Sequence, residues 1–81
     1  MARIIEDEAT NIVGENVRKL RVEKKMSQQE LSERLETCAI YICRGSVSRI
    51  ESYERTVTDF ELKALAEVLG VSVYDLFDAK K

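Results

Sequence analysis

Histidine, proline and tryptophan are absent from the 81 residues. Without histidine the chain cannot build a Ser-His-Asp or Cys-His catalytic group, a histidine-containing zinc site or a proton switch near neutral pH. Without proline, its turns have to be made by glycine, asparagine, aspartate and serine. Glycine is itself scarce. Gly14, Gly45 and Gly70 are the only three, too few for a loop that cradles phosphate with backbone amides. Aromatic residues are 6% of the chain, so the core has to be aliphatic. No apolar run approaches the ~18 residues of a membrane span. The acidic stretch Glu6-Asp7-Glu8 stands where a signal peptide would need apolar residues. These absences place the chain in the cytoplasm and away from membranes. They leave little enzymatic chemistry, and no catalytic residue, cofactor or metal is expected.

Cys38 and Cys43 are the two cysteines. In a cytosolic chain they read as reduced, largely buried thiols. A metal site on two cysteines without histidine would need carboxylates or a second subunit to complete it. A disulfide depends on the Cα separation, which spacing alone leaves open.

What is present describes one small globular domain. Hydrophobic residues make up 44% and charged residues 35%, a composition that folds rather than stays disordered. The net charge of −2 argues against a nucleic-acid partner if taken whole. Its distribution argues otherwise. Residues 15–55 hold nine Lys/Arg against seven acids, whereas residues 1–14 and 56–81 each carry two more acids than bases.

The hydrophobic pattern is helical almost throughout. Val13, Val17 and Leu20 form one stripe of a helix from about Asn11 to Lys25, with Thr10 or Asn11 as its cap and Gly14 as a mild weakness inside it. Ser27-Gln28-Gln29-Glu30 is a capping box that opens a second helix over about 28–38, carrying Leu31, Leu35 and Cys38. Ala39-Ile40-Tyr41-Ile42 is too short and isolated for a paired strand. It reads as an extended connection that tucks Ile40 and Ile42 into the core. A third helix from about Arg44 to Tyr53 buries Val47 and Ile50. Its other face is Arg44, Ser46, Ser48, Arg49 and Ser52, where serines replace the better helix formers of a solvated face. Thr58-Asp59-Phe60-Glu61 is a second capping box. It opens a helix with apolar positions at Phe60, Leu62, Leu65, Ala66 and Leu69, ended by Gly70. Ser72 caps a last short helix with Val73, Leu76 and Phe77.

Four stretches in this order carry a resemblance: Gly14-Glu15-Asn16-Val17-Arg18-Lys19-Leu20-Arg21, Met26 to Leu35, Gly45-Ser46-Val47-Ser48-Arg49-Ile50-Glu51, and Phe60 to Val73. Together they closely resemble the lambda-repressor-like, XRE-type helix-turn-helix family of transcriptional regulators, over roughly residues 12–77. The resemblance implies an all-α, five-helix DNA-binding domain at 12–77; residues 1–11 are then an N-terminal arm, and the terminal position of 78–81 predicts a frayed tail. It implies that the helix from Arg44 enters the major groove, with Arg44, Gly45, Ser46, Ser48 and Arg49 as base-reading positions. It further implies a phosphate contact at Gln28, leaves Arg55 for one after the third helix, and implies an ion pair between Arg21 and Glu51. Arg18 and Lys25 are further candidate phosphate contacts, though such cations are more often solvated. The matching core positions are Val17, Leu20, Leu31, Leu35, Val47, Ile50, Leu62, Leu65 and Leu69.

The chain departs from the family pattern in three places. Eleven residues, 36 through 46, separate Leu35 from Val47, about five more than in the shortest members. Ser52-Tyr53-Glu54-Arg55 stands where members usually have Asn-Gly and a basic residue. Cys43 takes the place of the usual polar cap.

Residue chemistry points the same way. Arg44 and Arg49 each carry a planar fork suited to guanine O6 and N7. The partner implied is double-stranded DNA carrying a pseudo-palindromic operator, bound by a homodimer, with a repressor as the expected regulator. Any dimer surface would come from the last two helices or residues 1–14, where Ile4, Ile5 and Ile12 have no other assignment. The alternative is an interaction module, an antitoxin or adaptor using the same fold with weak DNA binding. Glu54 and the acidic balance favour that alternative.

Overall fold

Two hydroxyls fix where two of the helices begin. Ser27 Oγ accepts from the Glu30 amide at 3.0 Å, and the Glu30 carboxylate accepts from the Ser27 amide at 2.9 Å. Thr58 and Glu61 repeat the arrangement at 3.2 and 3.1 Å. Each box satisfies two of the amides that a helix start leaves without partners. The computed structural model describes residues 10–77. It contains α1 (Gly14–Glu23), α2 (Gln28–Glu36), α3 (Arg44–Glu51), α4 (Asp59–Leu69) and α5 (Val73–Phe77). The expectations for Ile4, Ile5 and the tail at 78–81 lie outside the described residues.

The core is aliphatic, as the lack of aromatics requires. Val13, Val17, Leu31, Leu35, Ile42, Val47, Ile50, Leu65, Leu69 and Leu76 are buried, with Leu20, Ile40 and Leu62 half-buried against them. α3 packs on α2 and on α1, while α4 packs on α2, α1 and α5, and α5 also rests on α1. Asn16 is buried and donates from Nδ2 to the Leu76 carbonyl at 3.0 Å, tying α1 to α5.

The α2–α3 connection is extended, as expected, with no strand. Ser32 Oγ donates to the Ile42 carbonyl at 2.6 Å, and Ile42 is buried. The longer connection is therefore pinned to α2 and does not loop freely.

Several expectations need correction. Phe60 is 75% exposed, although it falls at an apolar position of α4. It lies nine residues before Leu69, about two and a half turns, and so stands on the opposite side of α4 from the buried stripe. The short α5 carries Val73, Leu76 and Phe77 as expected, with Leu76 buried and Val73 and Phe77 38% and 44% exposed. Cys43 is exposed and only Cys38 is partly buried. Helix α1 begins at Gly14 instead of Asn11, because the Asn11 side chain holds the amides of the first turn from outside.

The turns depart from expectation too. Gly70 adopts the left-handed conformation at φ 71, as a helix-ending glycine does. Lys25, Ala39 and Tyr53 adopt it as well, at φ 59, 64 and 67, although a side chain makes that region strained by roughly 1–2 kcal/mol. Tyr53 stands where the family pattern has glycine. Its carbonyl accepts from Thr10 N and Thr10 Oγ, each at 3.0 Å.

Candidate nucleic-acid interface

Helix α3 divides cleanly. Val47, Ile50 and Glu51 face inward and are buried, Ser46 is half-buried, and Arg44, Gly45, Ser48 and Arg49 are exposed. The small residues beside the two arginines let a flat polar partner approach the helix backbone closely. No side-chain hydrogen bond caps the start of α3, so the positive end of its dipole faces outward, an arrangement that attracts phosphate.

Cys43 precedes this turn. Its Sγ lies 3.6 Å from Ser46 Oγ, whose hydroxyl can donate to the thiolate. The Ser46 hydroxyl, helped by nearby amides and the Arg49 charge, holds the thiol below its ordinary range. The thiolate is favoured by the same helix start that favours phosphate.

Glu51 anchors the buried side of α3. Its Oε2 accepts from Arg21 Nε at 2.7 Å, and its Oε1 accepts from Arg21 Nη2 at 3.0 Å and from Gln28 Nε2 at 3.0 Å. Arg21 Nη1 donates to the Met26 carbonyl at 2.8 Å. The Arg21 and Glu51 side chains are 11% and 4% exposed. One carboxylate therefore joins α1, the start of α2 and the end of α3. Gln28, expected at a phosphate, sits at the opening of α2 with one amide hydrogen committed to this network.

The other cations separate into two groups. Arg18 and Lys25 are exposed, beside Lys19 and Lys24. Arg55 is not: its fork grips Glu61, with Nη1 to Oε1 at 2.9 Å and Nη2 to Oε2 at 3.0 Å, while Nη1 also donates to the Thr56 carbonyl at 2.9 Å. Among the described residues no acid pairs with Arg44 or Arg49, whereas Arg21 and Arg55 are both bidentate to glutamates.

The Arg55 hydrogen bonds hold the Glu61 carboxyl below its usual range, against the opposing effect of burial. A depressed acid stabilises the fold above the pKa it has unfolded, about 4.3, and that stability is lost as pH falls through the lowered native value. Acid titration followed by circular dichroism should therefore show Glu61→Gln losing the lowest-pH part of the parent's stability rise. Identical acid limbs would show that the pair contributes nothing.

Among the described residues no group of three or more acidic or cysteine side chains is placed to hold a metal, and no helix is long and apolar enough to cross a membrane. Sequence reasoning missed the exposure of Cys43 and Tyr41, the latter 77% exposed just before α3. It also missed the close approach of Gly14 to α3, described below. A helix-turn-helix family model matches residues 17–76. No curated protein and no solved structure matches the chain.

Proposed function

The chain belongs to the XRE-type, lambda-repressor-like helix-turn-helix family of DNA-binding regulators, and from that premise we propose that it is a repressor which reads a specific operator through α3. Arg44, Gly45, Ser46, Ser48 and Arg49 form the reading face. The observation that carries this assignment is the contrast among the arginines. The two bonded to glutamates brace the fold; Arg44 and Arg49 have no described acid beside them, as Arg18 and Arg34 have none, and are set apart by Gly45, Ser46 and Ser48 between them on one helix. A planar fork presented beside small residues fits guanine in the major groove.

Gln28, Arg18 and Lys25 supply phosphate contacts around that face. Gln28 keeps its amide oxygen and one amide hydrogen beyond the bond to Glu51, enough to hold a phosphate from the start of α2. Arg55 would have to surrender Glu61 to reach one, so its part in the complex is to brace the turn after α3. One copy offers few contacts on a net negative body. A homodimer on a pseudo-palindrome doubles them and sets the half-sites about 34–36 Å apart.

Selection from a random duplex library tests this, followed by a salt series on the winning site. An enriched palindrome supports the reading. Recovery of no sequence, with affinity falling equally on all duplexes, favours the interaction-module alternative, for which exposed Glu54 beside α3 is the specific observation.

On the selected operator, Arg49→Ala should lose about 1–3 kcal/mol of binding and relax preference at one base pair per half-site. Gln28→Ala should weaken all sequences alike. Arg55→Ala should leave the salt slope unchanged, since a guanidinium held by Glu61 displaces no counterion. A binding matrix over all single-base variants checks these. A uniform loss in Arg49→Ala would make Arg49 a backbone contact and move the reading face toward Arg44 and Ser46.

A further inference from the structure

Asn11 lies just before α1, yet its side chain spans two distant parts of the chain. Its Oδ1 accepts from the amides of Val13 at 3.1 Å and Gly14 at 2.9 Å. Its Nδ2 donates to the Ile50 carbonyl at 3.1 Å and the Arg55 carbonyl at 2.7 Å, partners 39 and 44 residues away. An asparagine amide offers two donor hydrogens and two acceptor lone pairs, and all four are used. The orientation is unambiguous. Flipping the amide would set its NH2 against two amides and its oxygen against two carbonyls.

The distant partners are the last turn of α3 and the chain that leaves it. Thr10 grips the same region through the Tyr53 carbonyl, and Gly14 lets the α1 backbone lie directly on the carbonyls of Ile50 and Glu51. Tyr53, at φ 67, turns the chain between these grips. The C-terminal end of α3 is thus fixed from outside the helix-turn-helix unit.

We propose that Asn11 is a positioning residue for DNA recognition: it sets the C-terminal end of α3 against the start of α1, and so the angle at which Arg44 to Arg49 meet the groove. This rests on the assignment of α3 as the reading helix. Asn11 touches no base. It acts through the backbone of Ile50 and Arg55, and a helix of eight residues pivots as a unit when one end is released.

The test separates its two bonds. Asn11→Ser keeps a hydroxyl that can cap α1 but loses the amide that reaches α3, and it leaves the charge unchanged. Val71→Ala, a half-buried position after α4, serves as a control that lowers stability elsewhere. All three proteins are compared well below their melting temperatures on the duplex selected for the parent and on a scrambled duplex. Asn11→Ser should lose about tenfold in affinity for the selected duplex and nothing on the scrambled one, while Val71→Ala keeps the parent's ratio. An unchanged ratio in Asn11→Ser, or an equal loss in both variants, would reduce Asn11 to a stabilising contact.

Amide hydrogen exchange gives a readout that needs no DNA. The Tyr53 and Glu54 amides, bonded to the carbonyls of Ile50 and Arg49, should exchange faster in Asn11→Ser, while Val17 in α1 stays protected. If selection enriches no duplex, the assignment of α3 has failed, and the positioning claim falls with it even where exchange shows the clamp intact. Unchanged exchange at Tyr53 and Glu54 overturns the clamp whatever the selection returns.

Discussion

Glu51→Gln should lower the stability of the fold by about 3–5 kcal/mol, the usual effect of leaving a buried charge without its partner. Three donors converge on this carboxylate: Arg21 Nε, Arg21 Nη2 and Gln28 Nε2. A glutamine has one acceptor oxygen. In either orientation its NH2 would face a guanidinium hydrogen, that of Arg21 Nε or that of Nη2, donor against donor. The Arg21 side chain, 11% exposed, would keep its Met26 carbonyl but lose its counter-charge. Domains of this kind have about 5–15 kcal/mol in total, so the variant should unfold at far lower urea or remain partly unfolded in buffer. Urea denaturation followed at 222 nm measures it. A midpoint equal to the parent's would show that water reaches the pair and screens it.

Gly14→Ala should also destabilise, although helix propensity alone predicts the opposite. Within a helix, alanine is better than glycine by about 1 kcal/mol. At Gly14 the added methyl group would overlap the Ile50 carbonyl oxygen and lie 3.1 Å from that of Glu51 and 3.2 Å from Asn11 Oδ1. The first two obstacles are backbone atoms of a packed helix and cannot rotate away. Relief requires moving α1 off α3, an overpacking penalty of about 1–3 kcal/mol or more, which exceeds the propensity gain. The same displacement would pull Asn11 from Ile50. Gly14→Ala should therefore melt lower than the parent and lose operator affinity even where it is folded. A melting temperature above the parent's would mean that α1 shifts freely, and that the close approach is not required.

These two positions show where sequence was informative and where it was not. The helices were legible because their signals are local. Serine or threonine three residues before glutamate, and leucines three and four apart, need no knowledge of the rest of the chain. The exposed polar side of α3 was legible for the same reason, as was the place of the Arg21–Glu51 pair once the resemblance had aligned it. Gly14 looked like a flaw in a helix because its neighbour, Ile50, is 36 positions later. The longer reach of Asn11 was hidden by the same distance, so only its capping bond was visible. Phe60 misled because it was counted with the apolar stripe although it lies about two and a half turns before Leu69, on the opposite side of the helix. Arg55 looked like a free cation because nothing local announces that the N3 glutamate of the next capping box also receives its fork.

Helices α1, α2 and α3 are each followed by a residue with a side chain in left-handed geometry: Lys25, Ala39 and Tyr53. Only α4 is followed by glycine. This pattern leaves headroom for engineered thermostability. Glycine at such a site relieves roughly 1–2 kcal/mol of strain and gives back about 0.4–1 kcal/mol through the greater freedom of the unfolded chain. Ala39 is the site with least to lose, being exposed and making no side-chain hydrogen bond. Tyr53 is the site with most, since its hydroxyl donates to Glu15 at 3.3 Å. A hardened version of this domain would thus begin in its turns, with its core and α3 left as they are.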